Sequence, residues 1–282
     1  MSALLSVSGL RKSYPGFALA GVDLQVAPGR IVGFIGRNGA GKSTTLKCVM
    51  GFARPEGGQV AFFGAPLAGR EGAVKARVGF VAGGVDFYTK IRIQRITEAT
   101  RPFYPNWDEG TYARLMARFD LDARKTPSQL SAGMRVKYAL TLALSHRAEL
   151  LILDEPTSGL DPVSREELLE LLLTLARREG VGVLFSTHIT SDLDKCADDI
   201  LYIQAGRIAA AEPLDLFAER YRRVRLSAEQ AASCPVRLIG PRPDRQGLSA
   251  LIRREDEARC PFPAQRADLE RIMVHLEKEA DA

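Results

Sequence analysis

Cysteine is scarce in this chain of 282 residues, which contains only four. The four are far apart, and neither a Cys-x-x-Cys pair nor a Cys and His spacing typical of zinc occurs. The absence excludes a disulfide framework and a zinc finger, and we expect free thiols in a reducing compartment. The cysteines are Cys48, Cys196, Cys234 and Cys260.

Long apolar runs are also missing. The best stretches, such as Gly182 to Phe185, have the length of a strand, far below the roughly 18 residues of a membrane-spanning helix. The amino terminus lacks the positive region and the apolar run of a secretory signal. We therefore expect neither secretion of this chain nor a membrane-spanning segment. A role at a membrane then requires a partner.

The chain has only a small excess of positive charge. It contains 39 Lys and Arg and 34 Asp and Glu, which gives a formal net charge of +5. This balance does not indicate nucleic-acid binding. One local basic cluster comprises Arg220, Arg222, Arg223 and Arg225. It is either a patch for nucleic acid or lipid or the solvated face of a strand or helix end, and the pattern favours the second interpretation.

Short apolar stretches that alternate with turn residues predict antiparallel strands from Leu4 to Val26. A buried strand, Ile31 to Ile35, then leads through a glycine-rich turn into a helix from Ser43 to Gly51. Further apolar strands, at Leu150 to Leu153 and at Gly182 to Phe185, flank a helix from Ser164 to Arg178. Strands alternating with helices predict a largely parallel sheet covered on both faces.

Two regions depart from this alternation. The segment from about Arg92 to Arg147 lacks strand patterning and contains several prolines, which predicts a helical subdomain with breaks. After Pro213 the composition shifts to Arg-rich strands, a Pro- and Gly-containing stretch from Gly240 to Gly247, and a helix from Ala267 to Ala280. The tail is therefore predicted to be a small separate module.

The glycine-rich turn, Gly36-Arg-Asn-Gly-Ala-Gly41-Lys42-Ser43, has the spacing of a phosphate-binding loop and lies between a predicted strand and a predicted helix. Its glycines let backbone N–H groups converge on phosphate oxygens beside the positive end of the helix. Lys42 would reach the β- and γ-phosphates, and the Ser43 hydroxyl would bind Mg²⁺. The predicted ATP-binding residues are Gly36, Arg37, Asn38, Gly39, Ala40, Gly41, Lys42, Ser43 and Thr44.

Two carboxylates, Asp154 and Glu155, follow a buried strand at its carboxyl end, where ligands bind in open α/β sheets. Asp154 is predicted to hold Mg²⁺, directly or through water, and Glu155 to polarise the attacking water as a general base. His188 follows the next apolar strand and is predicted to hydrogen-bond the γ-phosphate while holding Glu155 and the water in place. A purely structural histidine is the alternative.

The stretch Leu130-Ser131-Ala132-Gly133-Met134 begins a predicted helix with Ser131 as its N-cap. With this motif the chain, from about Leu4 to Pro213, resembles the nucleotide-binding subunits of ATP-binding-cassette (ABC) transporters. The resemblance implies an α/β P-loop nucleotide hydrolase with an antiparallel N-terminal β subdomain, a helical subdomain and a small C-terminal α+β extension. The corresponding boundaries are 1–213 for the nucleotide-binding domain, about 92–147 for its helical subdomain, and 214–282 for the accessory module.

The same resemblance implies a dimer that hydrolyses ATP, either a homodimer or a heterodimer with a related ATPase subunit. Ser131, Ala132 and Gly133 would act in trans on the ATP of the second subunit. Tyr14 matches the aromatic residue that stacks on adenine, and Ser158-Gly-Leu-Asp161 matches the loop that links the two sites. A separate transmembrane permease is implied, with this chain cytoplasmic and peripheral on the inner face of the plasma membrane. Nucleic acid is not expected as a direct partner.

Two departures from the family pattern affect the expected coupling. The glutamine expected after Val78-Gly-Phe-Val81 is replaced by Ala82-Gly83-Gly84, although that residue normally touches Mg²⁺ and couples the site to the permease. The signature carries Ala132 and Met134 in place of the usual Gly and Gln. Helices near Phe87 to Tyr112 are still expected to pass movement to the permease, and His188 matches the switch histidine.

The stretches Phe103-Tyr-Pro-Asn-Trp107-Asp108 and Phe185-Ser-Thr-His-Ile-Thr-Ser-Asp192, together with Leu-Ser-x-Gly-Met, resemble a bacterial exporter branch. Its members are similar to subunits from acetoin-utilisation and antibiotic-resistance operons, which implies export. One alternative is a soluble ABC-type ATPase acting on ribosomes or nucleic acid without a permease, although such proteins usually carry two cassettes or a coiled-coil insertion. The other is a weakly hydrolysing regulatory subunit, against which Glu155 argues.

Overall fold

A computed structural model describes residues 2–82, 88–245 and 247–280 of the chain. The strands are β1 (Leu5–Tyr14), β2 (Phe17–Val26), β3 (Ile31–Ile35), β4 (Gly57–Phe62), β5 (Ala65–Pro66), β6 (Val78–Val81), β7 (Leu150–Asp154), β8 (Gly182–Ser186), β9 (Asp199–Gln204), β10 (Arg207–Pro213), β11 (Tyr221–Leu226), β12 (Ile239–Asp244), β13 (Gly247–Arg253) and β14 (Ala264–Arg266). The α-helices are α1 (Lys42–Val49), α2 (Glu71–Lys75), α3 (Ile93–Thr100), α4 (Glu109–Arg118), α5 (Ala132–Ser145), α6 (Pro162–Glu179), α7 (Thr190–Cys196), α8 (Leu214–Glu219), α9 (Ala228–Ala232) and α10 (Leu269–Ala280). Short 3₁₀ helices occupy Arg101–Phe103, Pro127–Gln129 and Arg254–Arg259.

The central sheet has the strand order β10-β9-β3-β8-β7-β6. Five of these strands are parallel, and β10 is an antiparallel edge strand. β3, β7 and β8 are buried along their whole length, as expected of apolar strands covered on both faces. Because β8 lies between β3 and β7, the loops that follow these strands emerge side by side at one edge. The predicted parallel sheet is confirmed.

A second sheet, with the order β2-β1-β4-β5, is antiparallel throughout. Leu5 and Val22 from this sheet share one hydrophobic cluster with Phe34 of β3, Leu46 of α1 and Ile152 of β7. The predicted antiparallel N-terminal subdomain is therefore confirmed, and its apolar side packs against the helix that follows the phosphate loop.

The helical subdomain also matches its prediction, because α3, α4 and α5 occupy the described residues between β6 and β7. Its cluster contains Ile93, Ile96 and Tyr138, and the Tyr138 hydroxyl donates to the Ile93 carbonyl oxygen at 2.9 Å. Ser131 caps α5 as predicted, since its hydroxyl oxygen accepts from the Met134 amide at 3.1 Å. The start of α5 is thus fixed by its own sequence.

The C-terminal residues form an antiparallel sheet with the order β12-β13-β11-β14, and α10 packs against β12. This α+β extension shares apolar packing with the main sheet. Phe217 lies edge-on to Tyr202 with ring centroids 6.3 Å apart, and the Tyr202 hydroxyl donates to Glu277 Oε1 at 2.7 Å. One hydrophobic cluster therefore runs across Pro213, and the predicted domain boundary there stays a prediction.

The basic cluster of β11 and the residue before it is paired with carboxylates. The ion pairs, at 2.8–3.3 Å, are Arg220 with Glu212, Arg222 with Glu257, Arg223 with Asp244, and Arg225 with Asp244. This pairing argues against a patch for nucleic acid or lipid. Only Arg220 and Arg225 are half exposed, whereas Arg222 and Arg223 are largely buried, so the predicted solvated face is limited to two of the four.

All four cysteines are free thiols, and burial raises the pKa of Cys196 to about 12. In the described part of the chain, no three His, Cys, Asp or Glu side chains cluster as a metal site would require. None of the helices that the structure describes has the length and apolar character needed to cross a bilayer.

Candidate active site

The phosphate loop turns between β3 and α1 with glycines in conformations that other residues rarely adopt. Gly39 and Gly41 have φ angles of 84° and 118°. A Cβ atom at Gly36 would lie 2.3 Å from the Ile203 carbonyl oxygen, and one at Gly41 would lie 2.7 Å from Leu19 Cδ2. Close packing as well as backbone conformation therefore requires glycine at both ends of the loop.

Lys42, the first residue of α1, is buried although it carries a charge. Its Nζ donates to the Gly36 carbonyl oxygen at 2.7 Å and lies 3.7 Å from Glu155 Oε1. The lysine thereby connects the phosphate loop to the carboxylate that follows β7. A cation in this position suits the oxygens of a nucleotide phosphate.

Asp154 and Glu155 are fixed by the neighbouring strand β8. The Ser186 hydroxyl donates to Asp154 Oδ1 at 2.6 Å, and the Glu155 amide donates to the Ser186 carbonyl oxygen at 3.0 Å. Glu155 has a φ of 49°, which is uncommon for a residue with a side chain and is tolerated most often at functional sites. The sequence assigned no role to Ser186, and only its place directly before Thr187 and His188 hinted at one.

Glu155 and His188 form a direct side-chain contact. Glu155 Oε2 lies 2.6 Å from His188 Nδ1, while Glu155 Oε1 faces Lys42. The His188 side chain is 48% exposed, so its ring is open to solvent on the side away from this contact. The structure thus brings together the three predicted groups that follow β3, β7 and β8, as a P-loop nucleotide hydrolase requires.

Ser43 and Asp154 offer oxygen donors suited to Mg²⁺. Ser43 stands in the first turn of α1, and Asp154 keeps Oδ2 beyond its bond from Ser186. A hydroxyl and a carboxylate are hard ligands that Mg²⁺ prefers, and the ion usually retains several waters in addition. The two residues therefore fit the metal predicted for them.

The remaining predicted site residues lie on other elements, namely Tyr14 on β1 and Ser131 to Gly133 at the start of α5. Tyr14 ends β1 and is 46% exposed, and Lys12 Nζ lies over its ring, 5.3 Å from the ring centroid. Ser131, Ala132 and Gly133 form the start of α5. A Cβ atom at Gly133 would lie 3.2 Å from Ser164 Oγ at the start of α6.

Two predicted features fall partly beyond the described residues. Of the replaced glutamine segment, Ala82 is described, whereas Gly83 and Gly84 lie outside. Phe87, named as the start of the coupling helices, also lies outside. Asp161, from the loop expected to link two sites, is described and caps α6 by accepting from the Val163 and Ser164 amides.

Comparisons with known proteins agree with this geometry. The family described as ABC transporter matches residues 19–158. The chain is 35% identical over 263 residues to the aliphatic sulfonates import ATP-binding protein SsuB of Cupriavidus necator, covering 92% of this chain and 85% of that protein. It is 29% identical over 226 residues to the bacitracin transport ATP-binding protein BcrA of Bacillus licheniformis, covering 79% of this chain and 74% of the relative.

A solved structure of an ATP-binding subunit of an ABC transporter superposes with a TM-score of 0.68 and 30% identity, covering 75% of this chain and 90% of that one. The chain belongs to the ATP-binding subunits of ABC transporters, a family of ATPases, as the sequence motifs predicted. The likeness to BcrA agrees with the predicted antibiotic-resistance branch. The alternative of an ATPase that works without a permease is not favoured by these relatives.

Proposed function

We propose that two ATP-binding subunits, of which this chain is one, close around two ATP molecules and drive a separate permease that exports its substrate. The observation that carries the proposal is the contact of Glu155 with both Lys42 and His188, because it joins the phosphate loop to the groups that act on water. ATP hydrolysis then supplies the free energy for transport.

Hydrolysis converts ATP and water to ADP and phosphate. Glu155 is placed to accept a proton from the attacking water, and His188 orients that carboxylate through the 2.6 Å contact. Lys42 binds the β- and γ-phosphate oxygens, which replace the Gly36 carbonyl oxygen as its hydrogen-bond acceptors. Ser43 and Asp154 would hold Mg²⁺, which when bound would neutralise charge that develops on the phosphates.

Dimerisation completes the site in this proposal. The start of α5, with Ser131, Ala132 and Gly133, contacts the ATP of the second subunit, and Tyr14 stacks on the adenine of its own ATP. The half-exposed His188 ring and the exposed Val163, at 68% exposure, support an interface on this side of the subunit. The second subunit is either a copy of this chain or a related ATPase subunit.

The permease partner is supported by exposed apolar side chains near the helical subdomain. Tyr88, Ile91 and Phe103 are 77%, 43% and 80% exposed. Exposed large apolar side chains often mark a surface that docks a partner, here a helical segment of the permease. The chain then lies in the cytoplasm, peripheral to the inner face of the plasma membrane.

The named relatives do not fix the direction of transport, because SsuB is an import protein by name. Support for export comes from the residues shared with the exporter branch, Phe103 to Asp108 and Phe185 to Asp192. Vesicles that contain the permease and this chain decide the direction. ATP supplied only outside inverted vesicles should drive substrate inward if the transporter is an exporter.

Steady-state ATPase activity tests the catalytic assignment. We expect Glu155→Gln to lower kcat by roughly 10²-fold or more, as for loss of a general base, while ATP binding is kept. Glu149→Gln is the matched control, because Glu149 precedes the same strand at its opposite end and pairs there with Arg77. The control should hydrolyse ATP at the wild-type rate.

Sizing chromatography of Glu155→Gln with ATP or ADP tests the dimer. The variant should dimerise with ATP and remain monomeric with ADP. Equal dimerisation with both nucleotides would overturn the proposed cycle of closing and release, and wild-type kcat in Glu155→Gln would overturn the assignment of the base.

A further inference from the structure

A buried ion pair between α6 and α7 is not closed. Arg165 Nε lies 4.0 Å from Asp192 Oδ1, which is too long for a hydrogen bond, and the Asp192 side chain is only 2% exposed. Both Arg165 Nε and Asp192 Oδ2 are buried without a hydrogen-bond partner. Opposite charges thus face each other 4.0 Å apart, with the Asp192 carboxylate buried and the Arg165 side chain 29% exposed.

The same two helices carry a closed ion pair on their exposed side. Lys195 of α7 contacts Glu166 of α6 directly, and both side chains are about half exposed. The spacing of the helices therefore permits direct contact between their side chains. The gap is confined to the buried pair, although Arg165 directly precedes Glu166 on α6.

Each member of the open pair stands in the first turn of its helix, close to an active-site loop. Arg165 donates its amide to the carbonyl oxygen of Asp161, which caps α6. Asp192 lies four residues after His188 and donates its amide to the Ile189 carbonyl. The pair consequently links loop 158–161 to the loop that holds His188.

Helix α7 has little freedom to move relative to the phosphate-loop strand. A Cβ atom at Gly33 of β3 would lie 2.6 Å from Leu193 Cδ1, so Leu193 packs directly on the strand backbone. Closing the pair therefore requires a small shift of α6 or of the two side chains. A shift of about 1 Å suffices, because charge-assisted hydrogen bonds are roughly 2.8 Å long.

We propose that Arg165 and Asp192 close to a direct hydrogen bond in the state that hydrolyses ATP. They are positioning residues: closure keeps His188 in the contact with Glu155 that the open state already shows at 2.6 Å. A buried charge without full hydrogen bonding is unfavourable, so the open pair favours any nucleotide-bound arrangement that closes it. The inference rests on hydrolysis at Glu155. Neither side chain is part of the phosphate loop, so their effect reaches catalysis through the position of His188.

The test compares Asp192→Asn, Asp192→Glu and the wild type in ATP hydrolysis. Asp192→Asn keeps the shape but loses the charge, and it should lower kcat about tenfold, as for loss of one charged hydrogen bond, with KM for ATP unchanged. Asp192→Glu adds one methylene group, spans the gap and should retain kcat. Glu166→Gln is the matched control, because it removes the exposed link between the same helices, and should leave kcat unchanged.

Wild-type kcat in Asp192→Asn would overturn the proposal, as would Asp192→Glu being as slow as Asp192→Asn. Should Asp192→Asn fail to fold, Arg165→Gln takes its place, because the Arg165 side chain is 29% exposed and tolerates the change more readily. Hydrogen exchange at the start of α7 provides a readout that is independent of turnover. ATP should slow exchange there in the wild type and not in the variant, and equal slowing in both would also overturn the proposal.

Wild-type protein without turnover would count against the proposed catalytic function. The exchange measurement would still decide whether Arg165 and Asp192 close on binding ATP.

Discussion

The active-site edge of the central sheet and the C-terminal sheet are both rich in charged side chains, but they satisfy those charges differently. In the C-terminal sheet, Arg222 and Arg223 each have a carboxylate partner at 2.9–3.0 Å. At the active-site edge, Lys42 is 3.7 Å from Glu155, and Arg165 is 4.0 Å from Asp192. Ion pairs in direct contact stabilise the fold, whereas ion pairs that are farther apart can still bind a ligand or form a contact in another state.

The largest expected effect on ATP binding comes from Lys42 at the open edge. Lys42→Met should weaken ATP binding by up to about 100-fold, because a hydrogen bond to a charged group contributes about 1.5–3 kcal/mol. Fluorescent ATP titration measures this change. Lys47→Met is the control, since Lys47 is exposed on the same helix. An equal loss of ATP affinity in the control would contradict the specific role of Lys42.

A smaller effect is expected from His188, which positions Glu155 through the 2.6 Å contact. His188→Ala should lower kcat roughly 10- to 100-fold, because misplacement of a catalytic group by about 1 Å has effects of that size. His146→Ala is the contrasting variant. His146 is buried, bonds the Ala76 carbonyl oxygen at 3.2 Å and stacks on Tyr104, so its loss should lower the free energy of unfolding and leave kcat of the folded protein unchanged.

In the C-terminal sheet we expect stability rather than activity to change. Arg222→Gln should reduce the free energy of unfolding by about 2 kcal/mol, because it breaks the bond to Glu257 and leaves the Tyr221 carbonyl oxygen without this partner. Arg225→Gln, with a side chain 52% exposed, should cost about 0.5 kcal/mol or less. Urea unfolding measures both, and a large loss of ATPase activity in either would contradict the structural role.

The smallest effect concerns pH. Burial lowers the pKa of His275 below its ordinary value of 6.5, and the ring bonds the Gly240 carbonyl oxygen at 2.7 Å. The unfolded chain therefore binds a proton near pH 6.5 that the folded protein does not. The contribution of neutral His275 to the free energy of unfolding is complete above that pH and is lost as the pH falls through the lowered pKa. Urea midpoints from about pH 7.5 to about pH 5.5 should fall less steeply in His275→Gln than in the wild type.

Much of the site was predictable because its parts are local. Glycines with fixed spacing between an apolar strand and a helix identify the phosphate loop, and carboxylates directly after an apolar run identify β7. Predicted strands and helices around these motifs agree with the structure to within two residues, for example Ser164 to Arg178 against Pro162–Glu179. Ser131 was likewise recognisable as an N-cap from its place before a helical pattern.

Other features were not predictable because they depend on residues distant in sequence. Ser186 supports Asp154 only because β8 lies beside β7 in the sheet. The carboxylate partners of Arg220 and of the β11 arginines come from β10, from β12 and from a 3₁₀ helix. Likewise, Asp192 reads as an ordinary polar residue at a helix start, and its burial against Arg165 follows only from the packing of α7 on α6.

The sequence by itself determined the phosphate loop, the order of strands and helices, and the chemical identity of Lys42, Glu155 and His188, since each depends on short-range spacing and residue type. Only the tertiary structure decided that Glu155 Oε2 meets His188 Nδ1 at 2.6 Å and that Arg165 and Asp192 remain 4.0 Å apart. The reason is that strand order and helix packing bring together segments that the chain keeps far apart, and local sequence preferences do not fix those distances.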